Sequence, residues 1–208
     1  MVRSLCVCPL APQLALRTRV AVIMHVAEAA RSSNTGRLVP LALANSFIGY
    51  RGMREGPTNT KGMIPEGYLG MVLYPSADSA ELNKDLIGRV PSPLCLVVLD
   101  GSWSQSARMA RREPALAGLP RVRLPPGPPS SFRLRAQTDP SRVCTFEAVA
   151  RALGAIEGPE VRESLEAFFT VMVERMLWAR GKLKASEVAG GLPAGAIGET
   201  GAGANSRP

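Results

Sequence analysis

Apolar residues along this chain fall into short runs, separated by polar and Gly/Pro-rich stretches. Residues 19–24, RVAVIM, are short, apolar and β-branched, so a strand is predicted there. Residues 70–74, GMVLY, give a second strand, closed by Pro75. Residues 94–99, LCLVVL, give a third, continuous enough to be buried on both faces. A fourth, short strand is predicted over 121–124, ended by two prolines. Helical patterns lie between and after these runs. One is read over 38–47 despite Pro40, and a short one, capped by Ser76 or Asp78, runs to Leu82. Further helices are predicted over 104–112, 145–153 and 160–180. In the last, Val161, Leu165, Phe168, Met172, Met176 and Leu177 recur at helical spacing, a pattern that reads as core packing.

The remaining stretches are loops. Residues 49–67 are Gly-rich and polar, and 125–144 form a long Pro-rich connection of the kind that is usually functional. From Gly190 onward the chain is of low complexity. The organisation read from this is an N-terminal segment 1–18, one domain over 19–184 and a disordered tail over 185–208. Apolar strands interleaved with helices imply an α/β fold with a mostly parallel sheet and helices on both faces. In such folds ligands bind beyond the C-terminal strand ends. Three features fall there: Asn34-Thr35-Gly36, Tyr74-Pro75 and Asp100-Gly101-Ser102-Trp103.

Charge sharpens this picture. The net charge is +8, and residues 104–151 carry nine arginines, no lysine and only three acids. Arginine's planar fork suits phosphate, so a polyanion such as nucleic acid is one reading. An Arg-rich surface without a ligand is the other. No apolar run reaches the roughly 20 residues of a membrane helix. The N-terminus lacks a continuous apolar h-region, so no signal peptide and a cytoplasmic location are expected. Cys6, Cys8, Cys95 and Cys144 do not form a disulfide framework. Cys6 and Cys8 offer two thiolates, whereas a structural zinc site wants four ligands, and His25 is the sole histidine.

Candidate chemistry centres on residues 100–103. Asp100 follows directly on an apolar run, where partial burial would raise its pKa and make it a better base. It reads equally well as the N-cap of the next helix. Trp103 supplies a flat wall for a nucleobase, an adenine or a sulfonium cation, or else simple packing. The chain has no Gly-x-Ser-x-Gly elbow, no Walker A sequence and no Gly-x-Gly-x-x-Gly after a strand. What remains is an enzyme needing one base, good positioning and an already activated donor.

Five blocks in order, TRVAVIMHVAEAARSSNTGRL, LGMVLYPSAD, LVVLDGSWSQSARMARREPALAGLPRVRL, SSFRLR and CTFEAVARAL, resemble the DTW-domain proteins over about residues 5–180. Asp100 and Trp103 stand at the Asp and Trp of the motif, and Ser102 replaces its threonine while keeping a hydroxyl. The resemblance implies a SPOUT-like, knotted α/β domain. It also implies transfer of the 3-amino-3-carboxypropyl group of S-adenosylmethionine to the imide nitrogen of a tRNA uridine, with methylthioadenosine leaving. Asp100 would be the base, with Ser102 and Trp103 beside it. Tyr74, Pro75, Leu99, Gly101, Arg135, Thr145 and Glu147 would bind the donor. Asn34, Thr35, Arg37, Arg108, Arg111, Arg112 and Arg133 would face tRNA. The family's N-terminal cysteine cluster is reduced here to Cys6 and Cys8, an incomplete zinc site. A SPOUT-type RNA methyltransferase and a non-catalytic RNA-binding module are the alternative readings.

Overall fold

The computed structural model describes residues 3–53, 56, 58–90, 93–135, 139 and 142–196. Six strands make one sheet: β1 (Arg19–His25), β2 (Ser46–Arg51), β3 (Leu69–Leu73), β4 (Ala80–Glu81), β5 (Leu94–Asp100) and β6 (Arg121–Arg123). Their order is β2-β1-β5-β3-β6-β4, and every neighbouring pair is parallel. Side chains alternate across the sheet with the strand period of two. Val20, Val22 and Met24 of β1, with Leu94, Leu96 and Val98 of β5, enter one core. Ala21 and Ile23, with Cys95, Val97 and Leu99, enter the other. Strands buried on both sides need apolar residues at every position, which is why these runs are unbroken in the sequence.

Helices α5 (Thr145–Ile156) and α6 (Pro159–Ala179) cover the first face, together with the single turn α2 (Val39–Ala42). Phe146 stacks on Phe169 at 5.7 Å between ring centroids and meets Phe168 edge-on at 6.0 Å. The expected methionine and phenylalanine stripe of α6 is buried here. Helix α4 (Trp103–Arg112) covers the second face through Met109 and Ala110. The predicted parallel sheet with helices on both faces is therefore observed.

Two edge elements differ from the sequence expectation. The helix read over 38–47 is only α2, since Leu43 is already extended. The chain then forms β2, which pairs with β1 from Val20↔Ser46 to His25↔Arg51 and takes in the start of the expected 49–67 loop. Pro40 fits the first turn of α2, where its missing N–H costs nothing. Pairing with β1 then outweighs the helical pattern beyond it. Likewise, neither Ser76 nor Asp78 caps a helix. Ser79 donates its hydroxyl to the Ser76 carbonyl at 2.7 Å in a turn, and β4 follows. The helix comes later as α3 (Lys84–Gly88), with Asn83 accepting from Leu86 N at 2.9 Å.

Residues near both ends of the described chain lie against α6. Arg175 is buried there, donating to Cys6 O at 2.8 Å and to Gly191 O at 3.1 Å. Leu5 and Val7 are buried in the N-terminal segment. Of the tail expected over 185–208, residues 185–196 pack back on the domain, with Val188 and Ala196 buried. Residues 197–208 lie outside the described residues.

The topology places the site. After β1 the chain runs outward to β2 by way of α2, on the first face. After β5 it runs the opposite way to β6 by way of α4, on the second face. The β1/β5 boundary is thus a switch point, and a crevice opens beyond the carboxyl ends of those strands.

Candidate active site

Asp100 ends β5 at that boundary, opposite Met24 of β1, and is only 4% exposed. It is not the cap of α4. Ser102 is, accepting from Gln105 N at 3.3 Å, while Gln105 Oε1 accepts from Ser102 N at 2.7 Å. This reciprocal capping box completes the helix start and leaves the Asp100 carboxylate available. A serine suits this position, since serine and threonine both cap through their hydroxyl.

The carboxylate meets two donors from distant segments. Asn34 Nδ2 donates to Oδ2 at 2.6 Å, and the Thr145 hydroxyl donates to Oδ1. Asn34 is oriented in turn, because its Oδ1 accepts from Arg37 N at 3.1 Å. Gly36 lies so close that a Cβ there would fall 2.7 Å from Asp100 Oδ2, hence the glycine. Burial pushes the Asp100 pKa up from the usual carboxylate value. The hydrogen bonds from Thr145 and Asn34 pull it down, the nearby Glu28 charge adds to the rise, and Arg135 opposes it.

Around this carboxylate opens a cavity of about 840 Å³, ample for a ligand of cofactor size. Its walls include Tyr74, Pro75, Leu99, Gly101, Ser102, Trp103, Asn34, Thr35, Thr145 and Arg135, all singled out from the sequence. Trp103 is 42% exposed at the cavity wall. The Arg142 guanidinium lies 4.6 Å from its ring centroid and pairs with Asp139 at 3.1 Å. Thr35 Oγ1 accepts from Phe146 N at 3.4 Å, tying the Asn34-Thr35-Gly36 turn to the first turn of α5.

Several sequence candidates are not brought to the cavity. Glu147 is buried at the start of α5, where Ser130 Oγ, Ser131 N, Ser131 Oγ and Cys144 N all donate to it. Burial alone would raise its pKa, but these donors outweigh burial and hold it below the usual value. Glu147 thus pins the 130–131 loop to the helix instead of facing a ligand. Arg133 pairs with Glu174 of α6 at 3.4 Å, and Arg37 bonds the Ala29 carbonyl. Arg108, Arg111 and Arg112 are exposed on α4, away from the cavity. Arg111 and Arg112 lie in its last turn, where positive charge also suits the helix dipole. His25 caps α1 (Val26–Ala29), its Nδ1 accepting from Ala27 N at 3.2 Å.

Cys6 and Cys8 are neighbours, with Cys8 N donating to Cys6 Sγ at 3.4 Å. Among the described residues no cluster of three or more His, Cys, Asp or Glu side chains could hold a metal ion. Two thiols fall short of the four ligands of a structural zinc site, so these residues do not fit one. No described helix is long and apolar enough to cross a membrane.

Sequence reading missed Glu28, Ser33, Arg123, Arg142 and Arg151, all of which line the cavity. Arg123, Arg142 and Arg151 were counted only in the basic field. Glu28 left no signal, because one acid in a short polar segment looks like a solvated helix face. In the structure it is 3% exposed and pairs with Arg31 at 3.2 Å and Arg135 at 3.1 Å.

These elements define an α/β protein with a cavity at the switch point and a buried carboxylate on its floor. The chain belongs to the DTW-domain family, whose model matches residues 1–177. It is 30% identical over 167 residues to tRNA-uridine aminocarboxypropyltransferase 2 of Drosophila melanogaster, a match covering 77% of this chain and 66% of that protein. The protein of the same name from Macaca fascicularis is 25% identical over 161 residues, and that from Mus musculus 26% over 162. Each of these covers 74% of this chain and 54% of the relative, so the chain spans about half to two thirds of these curated relatives. No solved structure matches the chain.

Proposed function

We propose that this protein transfers the 3-amino-3-carboxypropyl group of S-adenosylmethionine to the imide nitrogen of a uridine in tRNA. The observation that carries this reading is the buried Asp100 carboxylate, held by Asn34 and Thr145 on the floor of a cavity large enough for the donor. Membership of the DTW family and the names of the relatives supply the substrate class.

The chemistry suits the residues. The donor's sulfonium is a good leaving group, so neither a metal nor a covalent enzyme intermediate is needed. The uridine imide must lose its proton before it attacks. Asp100, its basicity raised by burial, takes that proton. The imide nitrogen then forms a bond to the aminocarboxypropyl carbon next to sulfur. That C–S bond breaks, its electron pair neutralises the sulfonium, and methylthioadenosine departs. Asn34 and Thr145 hold the carboxylate oriented throughout, which favours an in-line approach. Trp103 offers its exposed ring to the uracil or the sulfonium. The exposed Arg108, Arg111 and Arg112 serve as phosphate contacts outside the cavity. The reading includes a SPOUT-type knotted arrangement, with which an all-parallel sheet and a cavity at its strand ends are compatible.

Incubation of the protein with unmodified tRNA and S-adenosylmethionine, followed by nucleoside mass spectrometry, tests the proposal. Aminocarboxypropyluridine and methylthioadenosine are expected in equal amounts. Methyluridine would make the protein a methyltransferase. No modification across a tRNA pool, with tRNA binding retained, would reduce it to a binding module.

A further inference from the structure

The cavity holds a second buried carboxylate, Glu28, beside Arg135. Glu28 Oε2 accepts from Arg135 Nη1 at 3.1 Å, and Ser33 Oγ accepts from Arg135 Nε at 3.1 Å. The guanidinium also lies 6.0 Å from the Phe132 ring centroid. Two of its three nitrogens are thus fixed. The third, Nη2, is enclosed and has no hydrogen-bond partner among the described residues. An unpaired cationic N–H in such a place is costly, and a slight turn of the guanidinium would present it to an oxyanion in the cavity. About a third of the side chain remains accessible.

We infer that Arg135 is the carboxylate subsite for the amino-acid end of the donor, and that Glu28 is a positioning residue that holds the guanidinium there. The inference rests on the donor reading above. Location favours a donor carboxylate over an RNA phosphate. Arg135 lines the cavity, close enough to Asp100 for their charges to interact and less exposed than Arg123 and Arg142 of the same cavity, whereas Arg108, Arg111 and Arg112 are exposed on α4 away from it. The other cavity arginines are placed differently. Arg123 bonds the Ser79 carbonyl, and Arg142 lies over the Trp103 ring and pairs with Asp139. Arg151 donates to Pro129 O at 3.2 Å on the Pro-rich wall; its Nε is also enclosed without a partner among the described residues, so Arg151 is the control for Arg135. A carboxylate on Arg135 would bring the aminocarboxypropyl carbons to the Asp100 end of the cavity, where the attacking nitrogen must lose its proton.

Equilibrium binding without tRNA tests this, using S-adenosylmethionine, its decarboxylated analogue and methylthioadenosine. The wild-type protein should prefer the carboxylated donor by roughly tenfold or more, the effect of one charge-assisted hydrogen-bond pair. Arg135→Met should erase that preference while keeping affinity for the decarboxylated analogue. Glu28→Gln should shrink the preference and leave methylthioadenosine binding intact. Arg135→Lys keeps the charge but loses the fork, and it should lower the preference several-fold if Arg135→Met does not fold. Absence of a preference in the wild type, or of any binding, would overturn the inference. So would equal loss for both sulfonium ligands in Arg135→Met, or loss of the preference in Arg151→Met but not in Arg135→Met. Because the assay contains no tRNA, a failure of group transfer leaves its result standing.

Discussion

Two buried carboxylates meet the start of α5, Asp100 from the end of β5 and Glu147 from the helix itself, and the protein treats them in opposite ways. Asp100 is 4% exposed and Glu147 3%. Asp100 accepts from two side chains, Asn34 and Thr145, and its pKa rises. Glu147 accepts four hydrogen bonds from Ser130, Ser131 and Cys144, and its pKa falls. Burial penalises both anions: at Asp100 it outweighs two donors, with the nearby Glu28 charge adding to the rise, whereas at Glu147 the donors outweigh it. A saturated carboxylate is a fastener: it is stable as an anion and has no reason to take a proton. An under-supplied one at a cavity wall is left able to take a proton. This contrast separates a structural acid from a chemical one more clearly than burial alone.

The largest test of the contrast is Asp100→Asn. Initial rates of tRNA modification should fall by about 10²–10⁴-fold, while the fold persists, because the side chain keeps its shape. Full activity in this variant would remove the base assignment. Glu147→Gln should do the reverse. Replacing an anion that serves four donors with an amide should cost about 3 kcal/mol, read as a lower denaturant midpoint. The turnover of the folded fraction should stay within a few-fold of wild type. A Glu147→Gln protein that is as stable as wild type but inactive would exchange the two roles.

Acid and base titrations sharpen the comparison. Glu147 has a lowered folded pKa, so its contribution is present above the ordinary glutamate value and is lost as pH falls through the folded one. Asp100 has a raised folded pKa. Between the two values the folded state binds more protons than the unfolded, so stability declines as pH rises through that window. Glu147→Gln should therefore flatten the acid limb of a plot of melting temperature against pH. Asp100→Asn should be at least as stable as wild type at neutral pH. The smallest effects concern the helix start. Ser102→Ala should lose about 1 kcal/mol by removing the cap, and Ser102→Thr should change stability by a few tenths. A larger loss of activity than of stability in Ser102→Ala would give that hydroxyl a role beyond the cap.

The same division runs through the fold. β1, β3 and β5 and helices α4, α5 and α6 were legible because their apolar spacing reports burial directly within a short window. β2 and β4 were not. Each lies at an edge of the sheet, and each exists because a neighbouring strand presents unpaired backbone groups. No local pattern carries that information. At the site, the three strand-end features were legible as a set, since parallel α/β sheets gather ligands at one end. Their individual roles were not. Asp100 reads from sequence as a base or as the cap of the next helix, and only the Gln105 contacts assign the cap to Ser102.

By itself, then, the sequence determined a parallel α/β sheet covered on both faces, an Arg-rich stretch behind its third long strand, and Asp100 at the edge of the core. Those properties follow from local hydrophobic pattern and charge. Tertiary structure alone decided that residues as far apart in sequence as Asn34, Asp100 and Thr145 share hydrogen bonds. It alone decided that Glu28 and Arg135 meet in the same cavity, and that Glu147 fastens a loop. The reason is physical: a carboxylate's function depends on how many donors reach it and how much water is excluded, and both are set by segments that meet only when the chain folds.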